Sequence, residues 1–201
     1  MLTKTAWLKS VEGKKIDCDG VPSNQPFQCV DEVKDYFNRC FGIKNFTFST
    51  GNNPHGYARG IWENFNDYPQ LKGKFIRLRN TASFVPAKGD VMVWSDAVGT
   101  AGHVAVCTGK NTGTSKFQSM DQNWGGKYYC TLITHSYNGV YGVLRPLYKC
   151  TTADLNVRSG PGTDYTVVDE LEKGTLVKLL GYNGSWAKIG DGRWVSANYL
   201  D

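Results

Sequence analysis

The chain has 201 residues, which fits one large domain or two modest ones with a real core. Hydrophobic residues make up 40% and charged residues 20%, a balance that excludes a disordered chain. The net charge of +5 is too mild and scattered for a nucleic-acid binder, and it divides into +7 for residues 1–151 and −2 for residues 152–201.

The N-terminus, MLTKTAWLKSVEGKK, has no apolar core of signal-peptide length, and no 18-residue apolar run follows. This predicts a chain made and kept in the cytoplasm, with no membrane partner. The cysteines are Cys18, Cys29, Cys40, Cys107, Cys130 and Cys150, with no CxxC pair. In a reducing compartment they stay mostly reduced, and the expectation is one reactive thiol and five packed ones. His103 and Cys107 stand four apart on a strand without a second pair, so no zinc site is expected.

Asp17, Asp19 and Gly20 form DxDG, the opening of an oxygen-rich cation loop. Gln28 at the twelfth place excludes an EF-hand. The next segment, CVDEVKDYFNRCF, carries Val30, Val33, Phe37 and Phe41 at helical period, and Gly42 supplies a stop. A helix of about three turns is predicted from Cys29 to Phe41. A second helix is predicted near Gly56–Phe65.

From Phe75 onward, short alternating stretches separated by Gly, Asn and Asp predict antiparallel strands: FIRLRN, GDVMVWS, GHVAVCTG, TSKFQSMDQN, YYCTLITHSY and GVYGVLRP. Helices followed by strands indicate an α+β domain. After Cys150 the turns at Gly160–Gly162, Lys173–Gly174, Asn183–Gly184 and Asp191–Gly192 punctuate a small all-β barrel. Residues 149–153 read as the linker.

Cys29 at a helix start is a chemical arrangement, because the helix dipole and free N–H groups favour a thiolate. A nucleophilic cysteine needs a base and a group that orients the base. His103 opens an apolar strand and supplies the base. In SMDQNWGG, Asp121 and Asn123 lie two apart on one face of an extended segment, and either could accept the second imidazole N–H. His55, in a loop able to border a groove, and His135, on an alternating strand, have no evident partner and read as structural.

FQCVDEV, GDVMVW, AGHVAV, MDQNWGG and VYGVLRP, in this order, resemble the CHAP family of cysteine- and histidine-dependent amidohydrolases and peptidases. The resemblance implies a papain-like fold over residues 1–148 and cleavage of amide or peptide bonds in bacterial peptidoglycan, as an N-acetylmuramoyl-L-alanine amidase or an endopeptidase. It implies Cys29 as nucleophile and His103 as base. Asp121 falls where many members carry Glu, one methylene longer, and Asn123 on a nearby participating Asn. The Gln28 amide and the Cys29 N–H are the expected oxyanion hole. No cofactor is needed for the chemistry.

Some phage members bind calcium through a DxDG loop just upstream of the nucleophile. The matching positions are Asp17, Asp19, Val21 (through its carbonyl) and Asp31, which implies a structural Ca²⁺ that would also neutralise Asp31 beside Cys29.

LNVRSGPG at 155–162 and GRWVS…YL at 192–200 resemble the bacterial SH3-like family, covering residues 149–201 as a cell-wall-binding barrel. Candidate wall contacts are Tyr165, Tyr182, Trp186, Trp194 and Tyr199, with Trp186 and Trp194 weighed more heavily as barrel core. Arg158 reads as a turn-binding residue. The expectation is a monomeric endolysin held in the host cytoplasm until holin pores release it. A secreted autolysin, an NlpC-type γ-D-glutamyl peptidase and a non-enzymatic wall-binding protein are the competing expectations. Gln28-Cys29-Val30-Asp31, in place of Asp-Cys-Ser-Gly, counts against the NlpC type.

Overall fold

A computed structural model describes residues 1–18 and 27–201. It divides into two compact units, one of Leu8–Pro146 and one of Met1–Trp7 with Leu147–Asp201. The elements in order are α1 (Lys4–Val11), α2 (Cys29–Phe41), α3 (Gly60–Glu63), β1 (Phe75–Arg79), β2 (Val91–Trp94), β3 (His103–Cys107), β4 (Phe117–Asp121), β5 (Thr131–His135) and β6 (Val140–Pro146). The second unit adds β7 (Tyr148–Cys150), β8 (Leu155–Arg158), β9 (Val167–Leu171), β10 (Leu176–Lys178), β11 (Gly181–Asn183), β12 (Trp186–Gly190) and β13 (Arg193–Ser196). The expected α+β domain and small all-β domain are both present.

The larger unit is built on an antiparallel sheet in the order β1-β6-β2-β3-β4-β5. Helix α2 has the expected bounds. It packs along β3, burying Val33, Tyr36, Phe37, Cys40 and Phe41. Phe37 and Phe41 meet Phe75 edge-on at 5.1 and 4.9 Å, the geometry that the aromatic quadrupole favours. Gly42 ends the helix at φ 65°, a left-handed cap in which its N–H reaches back to the last turn. Another part of the core joins Met92, Trp94, Ala105, Cys107, Phe117, Val140 and Val143. Asp90, in the Gly-Asp step before β2, is structural: Arg145 grips it in a fork at 3.0 and 2.6 Å.

The expected helix at Gly56–Phe65 is reduced to the single turn of α3. Asn53 explains the loss. Its Oδ1 accepts from the Tyr57 N–H at 3.0 Å, and its Nδ2 donates to the carbonyls of Phe48 and Tyr57. These side-chain bonds satisfy backbone groups that a helix would otherwise use. Conversely, α1 was not anticipated. Its start is marked by Thr3, whose Oγ1 accepts from the Ala6 N–H at 3.0 Å.

In the second unit β11-β12-β13-β8-β9 form one sheet and β10-β7 another. The segment read as a linker, 149–153, belongs to this unit instead. Lys149 and Cys150 lie in β7, paired with β10, and buried Thr151 donates through Oγ1 to the Glu172 carbonyl at 2.7 Å. The first residues are tied here too: the Met1 ammonium donates to the Gly174 carbonyl, and the Thr5 N–H donates to Asp201 Oδ2. Arg158 donates to the carbonyls of Thr163 and Tyr165 at 2.8 Å, as expected.

Trp186 and Trp194 do not fill the barrel core. That core is Leu155, Val157, Val177, Ala187, Val195 and Leu200. Ala187 and Val195 point inward, so strand alternation turns Trp186 and Trp194 outward, where both are half-buried. Tyr165, Tyr182 and Tyr199 are exposed.

Candidate active site

The site grows from the start of α2. Cys29 is the first helical residue and 8% exposed, with Gln28 as the N-cap in extended conformation. Phe27, just before it, adopts φ 64°, a left-handed conformation that an aromatic side chain rarely takes. Such strain collects at functional sites. The Asp31 carboxylate turns back to the helix start, where its Oδ2 accepts from the Gln28 N–H at 2.9 Å.

His103 opens β3. The residue before it must be glycine: Gly102 has φ 66°, and a Cβ there would stand 2.5 Å from the Trp94 carbonyl oxygen. The imidazole is buried, hydrogen-bonded to Asp121, and close enough to Cys29 to feel its charge. Its Nε2 lies 3.0 Å from Asp121 Oδ2, which leaves Nδ1 as the nitrogen for Cys29. Burial alone would lower the His103 pKa. The negative charge available on Cys29 and the bond to Asp121 outweigh it and raise the value to about 9.

The three residues Asp121-Gln122-Asn123 divide the work of holding this constellation. Asp121 ends β4 fully buried and meets His103. Gln122, also buried, accepts from the Ile16 N–H and donates through Nε2 to the carbonyls of Ile16 and Gln28, at 2.7, 2.8 and 2.9 Å. It staples the chain ahead of α2 to β4. The backbone then turns left-handed at Asn123, φ 60°, so Asn123 does not continue the face of Asp121. Its Nδ2 donates to Gln28 Oε1 at 2.8 Å, which makes the NH₂ the donating end of the Gln28 amide. Gln122 was missed in the sequence, although it stands inside the motif that carried its neighbours.

His135 was also missed. It is buried on β5, and its Nε2 lies 3.0 Å from the same Asp121 Oδ2. Ser119 donates to Asp121 Oδ1 at 2.6 Å. Burial pushes the Asp121 carboxyl up, but the bonds from His103 and His135 hold it below its ordinary range. Trp124 stands edge-on to both rings, at 4.8 Å from His103 and 4.6 Å from His135, and Trp94 meets them at 5.2 and 4.9 Å.

Glu32, one residue past Asp31, is fully buried, and neither carboxylate oxygen makes a hydrogen bond of ordinary geometry. Burial first, then the charges of Asp121 and Cys29, hold its pKa well above the usual range. The amides of Gln122 and Val106 draw it down only in part.

Of the expected cation ligands, Asp19 and Val21 lie outside the described residues. Asp31 is buried, with Lys34 Nζ 3.0 Å from its Oδ1. Among the described residues no group of three or more His, Cys, Asp or Glu is arranged to hold a metal. Asp31 therefore already has a compensating cation, and a metal would contest that place with Lys34.

Cys18 corrects the expectation of five packed thiols, because it is exposed. Its Sγ donates to the Asp31 carbonyl, and partial burial with the charges of Asp35 and Asp31 pushes it up to about 11, which leaves it unreactive at neutral pH. A cleft of about 380 Å³ beside the start of α2 is lined by Cys18, Val30, Lys34, Phe46, Phe48 and His55. His55 thus borders a groove, stacked on Tyr57 at 5.2 Å.

A family model described as the CHAP domain matches residues 20–123, and one described as the bacterial SH3 domain matches residues 153–201. No curated protein matches the chain. Among solved structures it is similar to a wild-type endolysin, LysIME-EF1, with 29% identity and a TM-score of 0.55, over 73% of this chain and 65% of that one. The chain thus spans about two thirds of that relative's length. It is also similar to Ly7917, with 17% identity and a TM-score of 0.52, over 97% of this chain and 92% of that one, a likeness of fold.

Proposed function

The chain belongs to the CHAP family and carries a C-terminal bacterial SH3 domain, and on that premise we propose that it is an endolysin-type peptidoglycan hydrolase working through the Cys29 thiol. One observation carries the proposal: buried His103 is bonded to Asp121 at 3.0 Å and stands beside Cys29, the first residue of helix α2. The similarity to an endolysin supports the wall as substrate.

The raised His103 pKa favours a thiolate–imidazolium pair with Cys29. The thiolate attacks the carbonyl carbon of an amide in peptidoglycan. The oxyanion is met by the Cys29 N–H and the NH₂ of Gln28, oriented by Asn123. His103 gives its proton to the departing amine and a thioester remains. Neutral His103 then takes a proton from water, which hydrolyses the thioester and restores the pair. Asp121 keeps the imidazole aligned through both steps. Amidase and endopeptidase cleavage share this chemistry, and mass spectrometry of released fragments distinguishes them by the new amino terminus.

The SH3 domain holds the enzyme, as a monomer, on the wall. The host cytoplasm before holin release is the proposed location. We further propose a structural Ca²⁺ at Asp17, Asp19, Val21 and Asp31, which would have to displace Lys34 from Asp31. Oxygen donors suit such a hard cation, and it has no part in the chemistry. EGTA is expected to lower the melting temperature, and equal melting in calcium and EGTA would remove the site.

The decisive test replaces the nucleophile. Cys29→Ala is expected to bind purified cell walls but release no fragments. Release at the wild-type rate would end the proposal.

A further inference from the structure

The residue that the mechanism does not use is His135. It lies 14 positions after Asp121, in the strand that pairs with β4, and it places Nε2 at 3.0 Å from the same carboxylate oxygen that His103 uses. Its ring is buried against Phe117 at 5.5 Å, Trp94 and Trp124. A histidine placed only to fill an aromatic pocket has no need of a carboxylate. An ionised Asp121 accepts only, so a bond at this distance requires the proton on His135 Nε2.

We propose that His135 is a positioning residue of the catalytic machinery: its Nε2–H shares Asp121 Oδ2 with His103 and fixes the short carboxylate where His103 needs it. This rests on the hydrolase reading of Cys29 and His103. The physical problem it solves is specific. Asp121 is fully buried in an aromatic surround, and Cys29 and Glu32 on α2 add potential negative charge near it. A carboxylate there is costly unless its lone pairs are filled. Ser119 fills Oδ1, and His103 with His135 fills Oδ2. Three donors from β3, β4 and β5 hold the side chain in one rotamer and keep it ionised. With one donor gone, Asp121 is less firmly held, while the remaining bond to His103 no longer shares its acceptor.

Two substitutions separate this role from packing. His135→Phe keeps the ring and removes the donor. His135→Gln removes the ring and returns an amide N–H near the Nε2 position. The proposal expects His135→Phe to lower kcat on purified peptidoglycan about tenfold, the scale of one lost charge-assisted bond, with KM unchanged. It expects His135→Gln to lose less. A packing role predicts the reverse order, and His135→Phe at least as active as His135→Gln would overturn the proposal.

NMR of the histidine rings in the full chain decides the matter independently of substrate. In the wild type, His135 should carry its proton on Nε2; an Nδ1–H tautomer overturns the proposal even if the variants misfold. The His103 titration should move to higher pH in His135→Phe and stay near wild type in His135→Gln; identical titrations overturn it. If the wild type cleaves no peptidoglycan while the ring measurements hold, the hydrolase reading fails and the His135 contact stands.

Discussion

Asp121 reaches His103 Nε2 at 3.0 Å while Asn123, two residues on, turns away to Gln28. The two polar residues of one motif therefore serve opposite ends of the same reaction. Asp121→Asn keeps the size but removes the charge, and it lets the amide impose the wrong tautomer on His103. It should cost about 10²–10⁴ in kcat. Asn123→Ala frees the Gln28 amide to rotate and should cost about tenfold, the upper scale of a single lost hydrogen bond between neutral groups. Steady-state release of wall fragments by both variants checks this, and an Asn123→Ala loss equal to that of Asp121→Asn would refute the division.

The alkaline side of the pH profile follows from His103. Its folded pKa of about 9 lies above its unfolded value of 6.5, so the imidazolium persists through neutral pH. Its contribution to stability is full below 6.5 and is lost as the pH rises through about 9. The kcat/KM profile should fall on its alkaline side near pH 9, where the imidazolium that protonates the leaving amine disappears. In Asp121→Asn one of the groups that raises the value is gone, and the fall should move to lower pH. A profile flat to pH 10 or beyond would contradict the pair.

Much of this site was legible in the sequence, and the losses have particular causes. Cys29 stood at the start of a period that the Phe37–Phe41 packing realises, and Gly42 marked its end. His103 and Asp121 were legible because each sits at a strand end. Asn123 was misplaced because two-residue alternation assumes an extended chain, and the left-handed φ at Asn123 breaks it. His135 was missed because its side chain meets Asp121 away from its own register partner, Phe117, a contact that no local pattern shows. Trp186 and Trp194, candidate wall contacts weighed more heavily as barrel core, turn out to lie outside that core. The small barrel is filled instead by aliphatic residues, and alternation puts the tryptophans on the other face.

Glu32 offers a test of the buried charge around Cys29. Its raised pKa means that its contribution to stability is full below the ordinary Glu value of 4.5 and is lost as the pH rises toward its folded value. Glu32→Gln removes that titration while keeping the shape. The variant should melt at or above the wild-type temperature at pH 8, and its advantage should shrink at pH 5. Its amide finds no better partner than the carboxyl did, so the gain is small, about 1 kcal/mol or less. Differential scanning calorimetry at the two pH values decides, and a variant less stable at pH 8 than at pH 5, relative to wild type, would reverse the sign.

The outward tryptophans carry a last expectation. Trp194 faces Lys188 across β12–β13, with the Lys188 ammonium 6.0 Å from the indole centroid, and Trp186 lies on the same face. Because neither ring belongs to the barrel core, truncating them should cost little stability, whereas Val195→Ala in the core should cost about 1–3 kcal/mol. If these rings hold the wall by stacking, Trp186→Ala and Trp194→Ala lower retention on purified sacculi with little change in melting temperature. The net charge of −2 over residues 152–201 gives this half no electrostatic attraction to an anionic wall, so its retention should survive high salt. Sedimentation with sacculi at 0.05 and 0.5 M salt measures both effects. Retention unchanged in both tryptophan variants would move the wall contact to the exposed tyrosines Tyr165, Tyr182 and Tyr199.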